Sequence, residues 1–360
     1  MLRLLQTSDV HLGARHPLLG ERAGDQRQRQ FEAFERAVDL AASTPVELFI
    51  IAGDLFDSSV QPRASMERVG AALGKLVSAG IPTILIPGAG DAPGRASIYR
   101  AYDLAALSGG ANAGVVEVLT PEAPDAAIPA LNVRLTSRFP ASDLSDDGWR
   151  IAIVHRPTRP REDEIAASGV DYLAIGGPHV AETGRAAGVS WGVSGPPELV
   201  DVGQAGTGEV LLVTLDEAAA RPAIERLKVG RTRVERMAID LAGLTSQAEL
   251  VKELTARADK DLVLDVQLAG DWPDELDIDP EGVEADLADR FLHLRVRNLG
   301  RPTLSVGTMP ASETIAGAFL RDLEGQIAET EAAGDAMAGR ERREALRIGR
   351  RLLAGRRIAR

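Results

Sequence analysis

The chain has 360 residues, of which 44% are hydrophobic and 26% charged, and these proportions are ordinary for a soluble globular protein. No apolar stretch reaches the roughly 18 residues of a transmembrane helix, no signal-peptide pattern opens the chain, and the lack of cysteine excludes disulfides and thiolate metal sites. We therefore expect a cytoplasmic protein with no membrane partner.

The formal net charge of −12 is unevenly distributed along the chain. Residues 336–360 hold nine arginines and two glutamates, so this tail carries +7 and the other 335 residues carry −19. An acidic body is poorly suited to binding a phosphate backbone by itself. If DNA is a partner, the basic tail, a bound metal or another protein must supply much of the attraction.

The first part of the chain alternates apolar strands with amphipathic helices. An apolar run from Leu2 ends in Asp9-Val10-His11, and a second run, residues 48–52, ends in Gly53-Asp54. Helices predicted over residues 26–42 and 63–79 connect the first strand to the second and the second to a third, residues 81–86. This order predicts an α/β fold in which the polar residues that follow the strands gather at one edge of a sheet.

Short strands dominate the next part of the sequence, after a short helix predicted over residues 97–107. We predict strands at 115–119, 130–135, 150–154 and 172–175, with a small helix ending at residue 168. His155 directly follows the third of these strands, and His179 lies four residues beyond the fourth. Strands at 189–193 and 209–215 are expected to pair and to complete a second sheet.

The pattern changes near residue 229. Two helices alternate with three strands between residues 235 and 297, which predicts a small separate β-α-β-α-β domain. Two further helices are predicted over residues 311–331 and 340–357. We therefore divide the chain into a large domain over residues 1–228, a small domain over 229–300 and an arginine-rich helical region over 301–360.

The motifs Asp9-Val10-His11 and Gly53-Asp54-Leu55-Phe56-Asp57 resemble those of the calcineurin-like metallophosphoesterases, and more narrowly those of SbcD-type DNA repair exonucleases and their YhaO-like relatives. The resemblance implies a two-sheet α/β sandwich core, a small α/β capping domain and C-terminal helices. It also implies a site for two metal ions bridged by one carboxylate. The first-metal ligands that it assigns are all present: Asp9, His11, Asp54 and His179.

The second-metal set is incomplete. Asp54 and His155 remain, but the ligand asparagine of the family is Ala89, the catalytic histidine is Gly90, and a second-metal histidine is Gly177. We therefore expect one Mn²⁺ site, with the second site doubtful, and no certain catalytic residue. Ordinary structural roles for His155 and His179 stay open, and His16 is interpreted as an exposed loop residue rather than a substitute ligand.

The basic helical tail has three interpretations: a solvated helix face, a contact with nucleic acid, or a docking helix for a partner. The resemblance favours docking to an SMC-like ATPase of the SbcC type, and it leaves homodimerisation open. The leading functional hypothesis is an SbcD-like exonuclease subunit of a DNA repair complex, with hydrolysis weakened by the missing ligands. A catalytically inactive scaffold subunit is the alternative, and a small-molecule phosphoesterase is a weaker one.

Overall fold

Alternating apolar strands and amphipathic helices build the first half of the protein. The computed structural model describes residues 1–94, 96–109, 115–141, 144, 147–203, 208–219, 222–272, 276–302 and 313–353, which fall into two units, Met1–Val234 and Glu235–Arg360. The described residues of the first unit form five α-helices: α1 (Ala23–Ser43), α2 (Arg63–Ser78), α3 (Ile98–Ala101), α4 (Leu104–Leu107) and α5 (Glu162–Ala166). A 3₁₀ turn at Pro17–Arg22 precedes α1.

Twelve strands accompany these helices in the described part of the first unit. They are β1 (Leu2–Thr7), β2 (Leu48–Ala52), β3 (Thr83–Ile86), β4 (Val116–Val118), β5 (Asp125–Ile128), β6 (Val133–Thr136), β7 (Trp149–His155), β8 (Tyr172–Gly176), β9 (Glu182–Ala186), β10 (Val189–Val193), β11 (Glu209–Leu215) and β12 (Ala223–Lys228). They form two six-stranded sheets, ordered β12-β11-β1-β2-β3-β4 and β5-β6-β7-β8-β10-β9.

The two faces of the first sheet lie in two separate cores. Alternate strand residues such as Leu5, Phe49 and Ile51 pack with α1 and α2. The intervening residues, among them Leu4 and Ile50, pack against the second sheet. Strands that are buried on both faces read as continuous apolar runs, which is the pattern of β1 and β2 in the sequence. The predicted α/β sandwich is therefore confirmed.

One strand assignment was wrong. Residues 209–215 were expected to pair with 189–193 in the second sheet, but β11 belongs to the first sheet and runs antiparallel to β1, with Leu2 opposite Leu215. β10 instead lies between β8 and β9 in the second sheet. Both segments are buried apolar strands, and such a run carries no information about which sheet it joins. The helix predicted over 97–107 is divided into α3 and α4.

The second unit contains the predicted β-α-β-α-β arrangement. Its elements are β13 (Arg233–Asp240, which starts just before the unit boundary), α6 (Gln247–Thr255), β14 (Leu262–Ala269), β15 (Asp271–Trp272), α7 (Pro280–Leu287), β16 (His293–Asn298), β17 (Arg301–Pro302), α8 (Ile315–Ala332) and α9 (Ala336–Leu353). A three-stranded sheet, β13-β14-β16, has its own apolar core, which α6 and α7 help to form.

The helices α8 and α9 pack on each other through Leu320, Ile327 and Leu346. Residues 311–312 and 354–357, which the sequence assigned to helices, lie outside the described residues. The division of the chain at residues 228 and 300 stays a prediction. None of the described helices is both long and apolar enough to cross a membrane.

Candidate metal centre

The candidate site lies where the carboxyl ends of strands from both sheets meet. Asp9 and His11 follow β1, Asp54 follows β2, His155 is the last residue of β7, and His179 lies three residues beyond β8. The backbone N–H groups of Asp9 and His11 donate to the carbonyl oxygens of Gly53 and Asp54, at 3.0 and 2.9 Å. These bonds hold the two loops side by side beyond the ends of their strands.

Four residues of the site have left-handed backbone conformations. The φ angle is 54° at Asp9, 49° at His11, 48° at Asp54 and 56° at His179. Only three other non-glycine residues of the described chain have positive φ. Such conformations are unfavourable for residues with a side chain, and they concentrate at functional sites where the surrounding structure holds them. The fold therefore holds the backbone in conformations that direct these four side chains toward one another.

The same four side chains form a compact cluster. One ligand atom from each of Asp9, His11, Asp54 and His179 lies within 4.8 Å of all the others. The Nε2 atoms of His11 and His179 are 3.2 Å apart, and His11 Nε2 lies 3.5 Å from Asp54 Oδ2. His179 Nε2 lies 3.6 Å from Asp9 Oδ1. Two carboxylates and two imidazoles converge on a single point.

The two carboxylates are almost completely buried, with exposed fractions of 0% for Asp9 and 3% for Asp54. Buried carboxylates require hydrogen-bond donors or a cation. The Ser8 hydroxyl donates to Asp9 Oδ2 at 2.7 Å. Two backbone N–H groups also donate, from Gly177 to Asp9 Oδ1 at 2.8 Å and from Gly90 to Asp54 Oδ1 at 2.7 Å. These donors carry no formal charge, so neutralising the pair falls to the neighbouring imidazoles or to a cation.

His155 lies between the two carboxylates. Its Nε2 atom is 3.1 Å from Asp9 Oδ1 and 3.2 Å from Asp54 Oδ2. Burial by itself would lower the pKa of His155, but its hydrogen bonds to the two carboxylates and their negative charge outweigh burial and raise this pKa to about 9. Burial likewise acts to raise the pKa of Asp54, but the bond from His155 and the nearby histidine charges lower it overall.

The first-metal residues fit a divalent cation. Oxygen and imidazole nitrogen donors suit manganese, iron or zinc, and four ligands are sufficient for one ion. His11 also has an outer partner, because its Nδ1 atom lies 3.2 Å from Asp57 Oδ1. A carboxylate on the far nitrogen fixes the ring and its tautomer, so that Nε2 is free to bind a metal.

The second-metal residues do not fit a metal ion. Ala89 offers no donor side chain, and main-chain atoms lie too close to Gly90 and Gly177 for either position to carry a side chain. A Cβ atom on Gly90 would lie 2.9 Å from the carbonyl oxygen of Asp57, and one on Gly177 would lie 2.0 Å from that of Arg156. A histidine could occupy either position only after the main chain had moved. The N–H groups of these glycines bond the carboxylates instead.

The interpretation of His16 as an exposed loop residue was wrong. Only 6% of it is exposed, and its Nε2 atom lies 2.9 Å from Gln30 Oε1. A 3₁₀ turn follows it directly, and such a turn is hard to detect by sequence periodicity. His16 does not belong to the four-residue cluster found among the described residues. His293 lies on β16 in the second unit.

Sequence reasoning also missed two supporting carboxylates. Asp57 was recognised only as part of a motif, and its contact with His11 was not predicted. Asp91 is buried and accepts from the N–H groups of Gly88 and Phe56, at 2.7 and 3.1 Å. It thereby holds the turn that presents the Gly90 N–H to Asp54. Asp91 was recognised only as the last residue of the motif that contains Ala89 and Gly90, and its bonds were not predicted.

Comparison with known proteins agrees with this geometry. Residues 2–181, half of the chain, match the family model described as Calcineurin-like phosphoesterase. The chain is also similar to the DNA double-strand break repair protein Mre11 of Aeropyrum pernix, with 27% identity over 67% of this chain and 64% of the relative, so it spans slightly less than two thirds of that protein. Mre11 of Saccharolobus solfataricus is 36% identical over 26% of this chain and 24% of the relative. The chain belongs to the calcineurin-like phosphoesterase family.

Proposed function

We propose that the protein hydrolyses phosphodiester bonds in DNA with one bound divalent metal, Mn²⁺, as an SbcD-like subunit of a repair complex. The observation that carries the proposal is the convergence of Asp9, His11, Asp54 and His179, each in a left-handed conformation. The similarity to proteins named for DNA double-strand break repair supports DNA as the substrate class.

The side chains of the site have separable roles in this proposal. Asp9, His11, Asp54 and His179 would hold the metal, which would supply Lewis acidity at the phosphodiester. Asp9 and Asp54 provide the negative charge that attracts the ion, and Asp57 keeps the His11 ring in the required orientation. No side chain at residue 90 can give a proton to the leaving group. General acid catalysis and charge stabilisation each contribute roughly 10²–10⁴-fold, so we expect slow hydrolysis.

An inactive scaffold is the second candidate function. The observation that favours it is the closure of the second-metal side, where two backbone N–H groups and His155 already bond the carboxylates. In that case the same fold would be retained for binding a partner, and a metal in the cluster would be structural.

The proposed partner in either case is an SMC-like ATPase that docks on the α8–α9 helix pair. Large apolar side chains remain exposed there, including Ile315 and Phe319 on α8 and Leu352 and Leu353 on α9. A Cβ atom on Gly349 would touch the Phe319 ring, so the start of α8 lies beside the end of α9. We expect L352E/L353E to abolish co-purification with such an ATPase, whereas M337E, at the other end of α9, should not.

Metal stoichiometry and DNA cleavage test the proposed function together. We expect elemental analysis after Mn²⁺ loading to find one ion per chain, and none in Asp9→Ala. Slow Mn²⁺-dependent cleavage of single- or double-stranded DNA, lost in the same variant, would support the nuclease. One ion without cleavage would support the scaffold. Hydrolysis of small phosphate esters but not of DNA would contradict both.

A further inference from the structure

A cavity adjoins the metal centre on the side of His155. Its volume is about 500 Å³, and the carboxyl ends of β3, β4, β6 and β7 surround it. Small ligands bind in α/β proteins outside the carboxyl ends of strands, commonly in cavities of about 300–1,000 Å³. The walls include Ile86, Pro87, Leu119, Phe139, His155 and Arg156. His155 is therefore shared by the cavity and the metal cluster.

The lining of this cavity has an unusual charge for an acidic protein. No aspartate or glutamate lies among its described lining residues, which include Arg138, Arg156 and His155. Arg138 is paired with Asp125. The Arg156 guanidinium carbon lies 5.3 Å from the centre of the Phe139 ring, so an arginine and an aromatic ring face the cavity together. Because Arg138 is paired and His155 bonds Asp9 and Asp54, Arg156 is the main source of positive charge in a largely apolar lining.

Flat apolar surfaces form the rest of the cavity. Four prolines, Pro87, Pro93, Pro121 and Pro124, line it beside the Phe139 ring. Aromatic rings bind nucleobases by stacking, with little dependence on sequence, proline rings add rigid apolar contacts, and arginine binds phosphate. This combination suits a ligand that has a planar base and an anionic phosphate close to each other. A purely apolar ligand would leave Arg156 without a counter-charge.

We propose that this cavity binds one nucleotide, with its base against Phe139 and the prolines and its phosphate near Arg156 and His155. The inference rests on the proposed function, since it places this nucleotide next to the phosphodiester bond at the metal centre. The ligand chemistry is shared by a free mononucleotide and by a nucleotide of a DNA strand, and the two sources are separated by competition.

Calorimetric binding to the full chain tests this proposal. The probes are dAMP, deoxyadenosine and inorganic phosphate, each titrated in the presence of Ca²⁺. We expect dAMP to bind more tightly than either fragment. Arg156→Ala should weaken dAMP about tenfold and leave deoxyadenosine unchanged, whereas Phe139→Leu should weaken both about tenfold. Arg161→Ala is the matched control, because it removes an exposed arginine five positions away, and it should change neither.

Equal affinities for phosphate and dAMP, or an unchanged dAMP affinity in both variants, would overturn the proposal. If circular dichroism shows that Phe139→Leu does not fold, Arg156→Ala together with Arg156→Lys, which should restore dAMP binding, decides the matter. Competition of dAMP by a phosphorothioate oligonucleotide supports a DNA strand as the source, and lack of competition supports a free nucleotide. DNA cleavage without dAMP binding would refute nucleotide binding in the cavity but not the proposed nuclease. Binding of dAMP without DNA cleavage would refute only the proposed hydrolysis.

Discussion

In the metal-free protein, His155 should make the stability of the first unit depend on pH. Its folded-state pKa of about 9 exceeds the ordinary value of 6.5 because Asp9 and Asp54 bond the imidazolium. A raised folded-state pKa contributes stability that is fully present below pH 6.5 and is lost as the pH rises through 9. At 1.36 kcal/mol for each pH unit, the difference corresponds to about 3 kcal/mol. The side chain is 10% exposed, so solvent screens this interaction little.

Urea unfolding in EDTA between pH 6 and 10 measures this effect. A Trp272→Phe background leaves Trp149 and Trp191, both in the first unit, as the fluorescent reporters. We expect the free energy of unfolding to fall by about 3 kcal/mol across this range. His155→Gln should lower stability at pH 6 and should reduce the slope, so that the two proteins converge near pH 10. His293→Gln should keep the original slope. If the free energy of unfolding of His155→Gln depended on pH as steeply as that of the unsubstituted protein, the reasoning would be refuted.

Three further predictions concern the support of the site. Asp57→Asn should weaken Mn²⁺ binding about 10–100-fold, measured by competition with a chelator, because His11 loses the carboxylate that orients it. Gly177→Ala should lower the free energy of unfolding by more than about 3 kcal/mol, because φ is +107° at this residue and the new Cβ would collide with a carbonyl oxygen. Gly188→Ala is the control: φ is +105° there but the space is open, so the substitution should lower the free energy of unfolding by only about 1–2 kcal/mol. Glu198→Gln should cost about 1–3 kcal/mol in thermal unfolding, because this buried carboxylate accepts from three backbone N–H groups.

Two surface substitutions are suitable controls for these predictions. Asp39→Asn removes a half-exposed carboxylate that pairs with Lys75, and it should not alter Mn²⁺ affinity. Glu67→Gln removes an exposed partner of Arg63 and should change stability by less than about 0.5 kcal/mol. Equal losses of stability at Gly177 and Gly188 would show that the carbonyl contact is unimportant. An unchanged Mn²⁺ affinity in Asp57→Asn would exclude an orienting role.

The sequence contained enough information to predict the strands that carry the site. β1, β2 and β8 are buried on every or nearly every residue, so they appear as continuous apolar runs, and a polar residue follows each of them within three positions. The ligands Asp9, His11, Asp54 and His179 were assigned by the resemblance to the metallophosphoesterases, and all four follow the ends of these strands. The structure accordingly places all four together, with His155 beside them.

Other features could not be predicted because they depend on contacts distant in the sequence. The strands β5, β9 and β12 are short or largely exposed, so their sequences lack a clear apolar pattern. The position of β11 is determined by its pairing with β1, more than 200 residues earlier. Two further features form only when loops from several strands come together in the folded protein. They are the contact between Asp57 and His11 and the nucleotide-sized cavity beside His155.

The bonds from the Gly90 and Gly177 N–H groups limit how a second metal site could be engineered into this protein. A histidine introduced at either position would collide with a carbonyl oxygen, so a single substitution would destabilise the fold before residue 177 could bind a metal or residue 90 could donate a proton. A permissive shift of the main chain would have to come first, and it would itself remove a hydrogen bond from a buried carboxylate. Single substitutions at these glycines therefore do not build a second metal site, and directed evolution toward a two-metal enzyme should succeed only from variants whose loops have first been rebuilt.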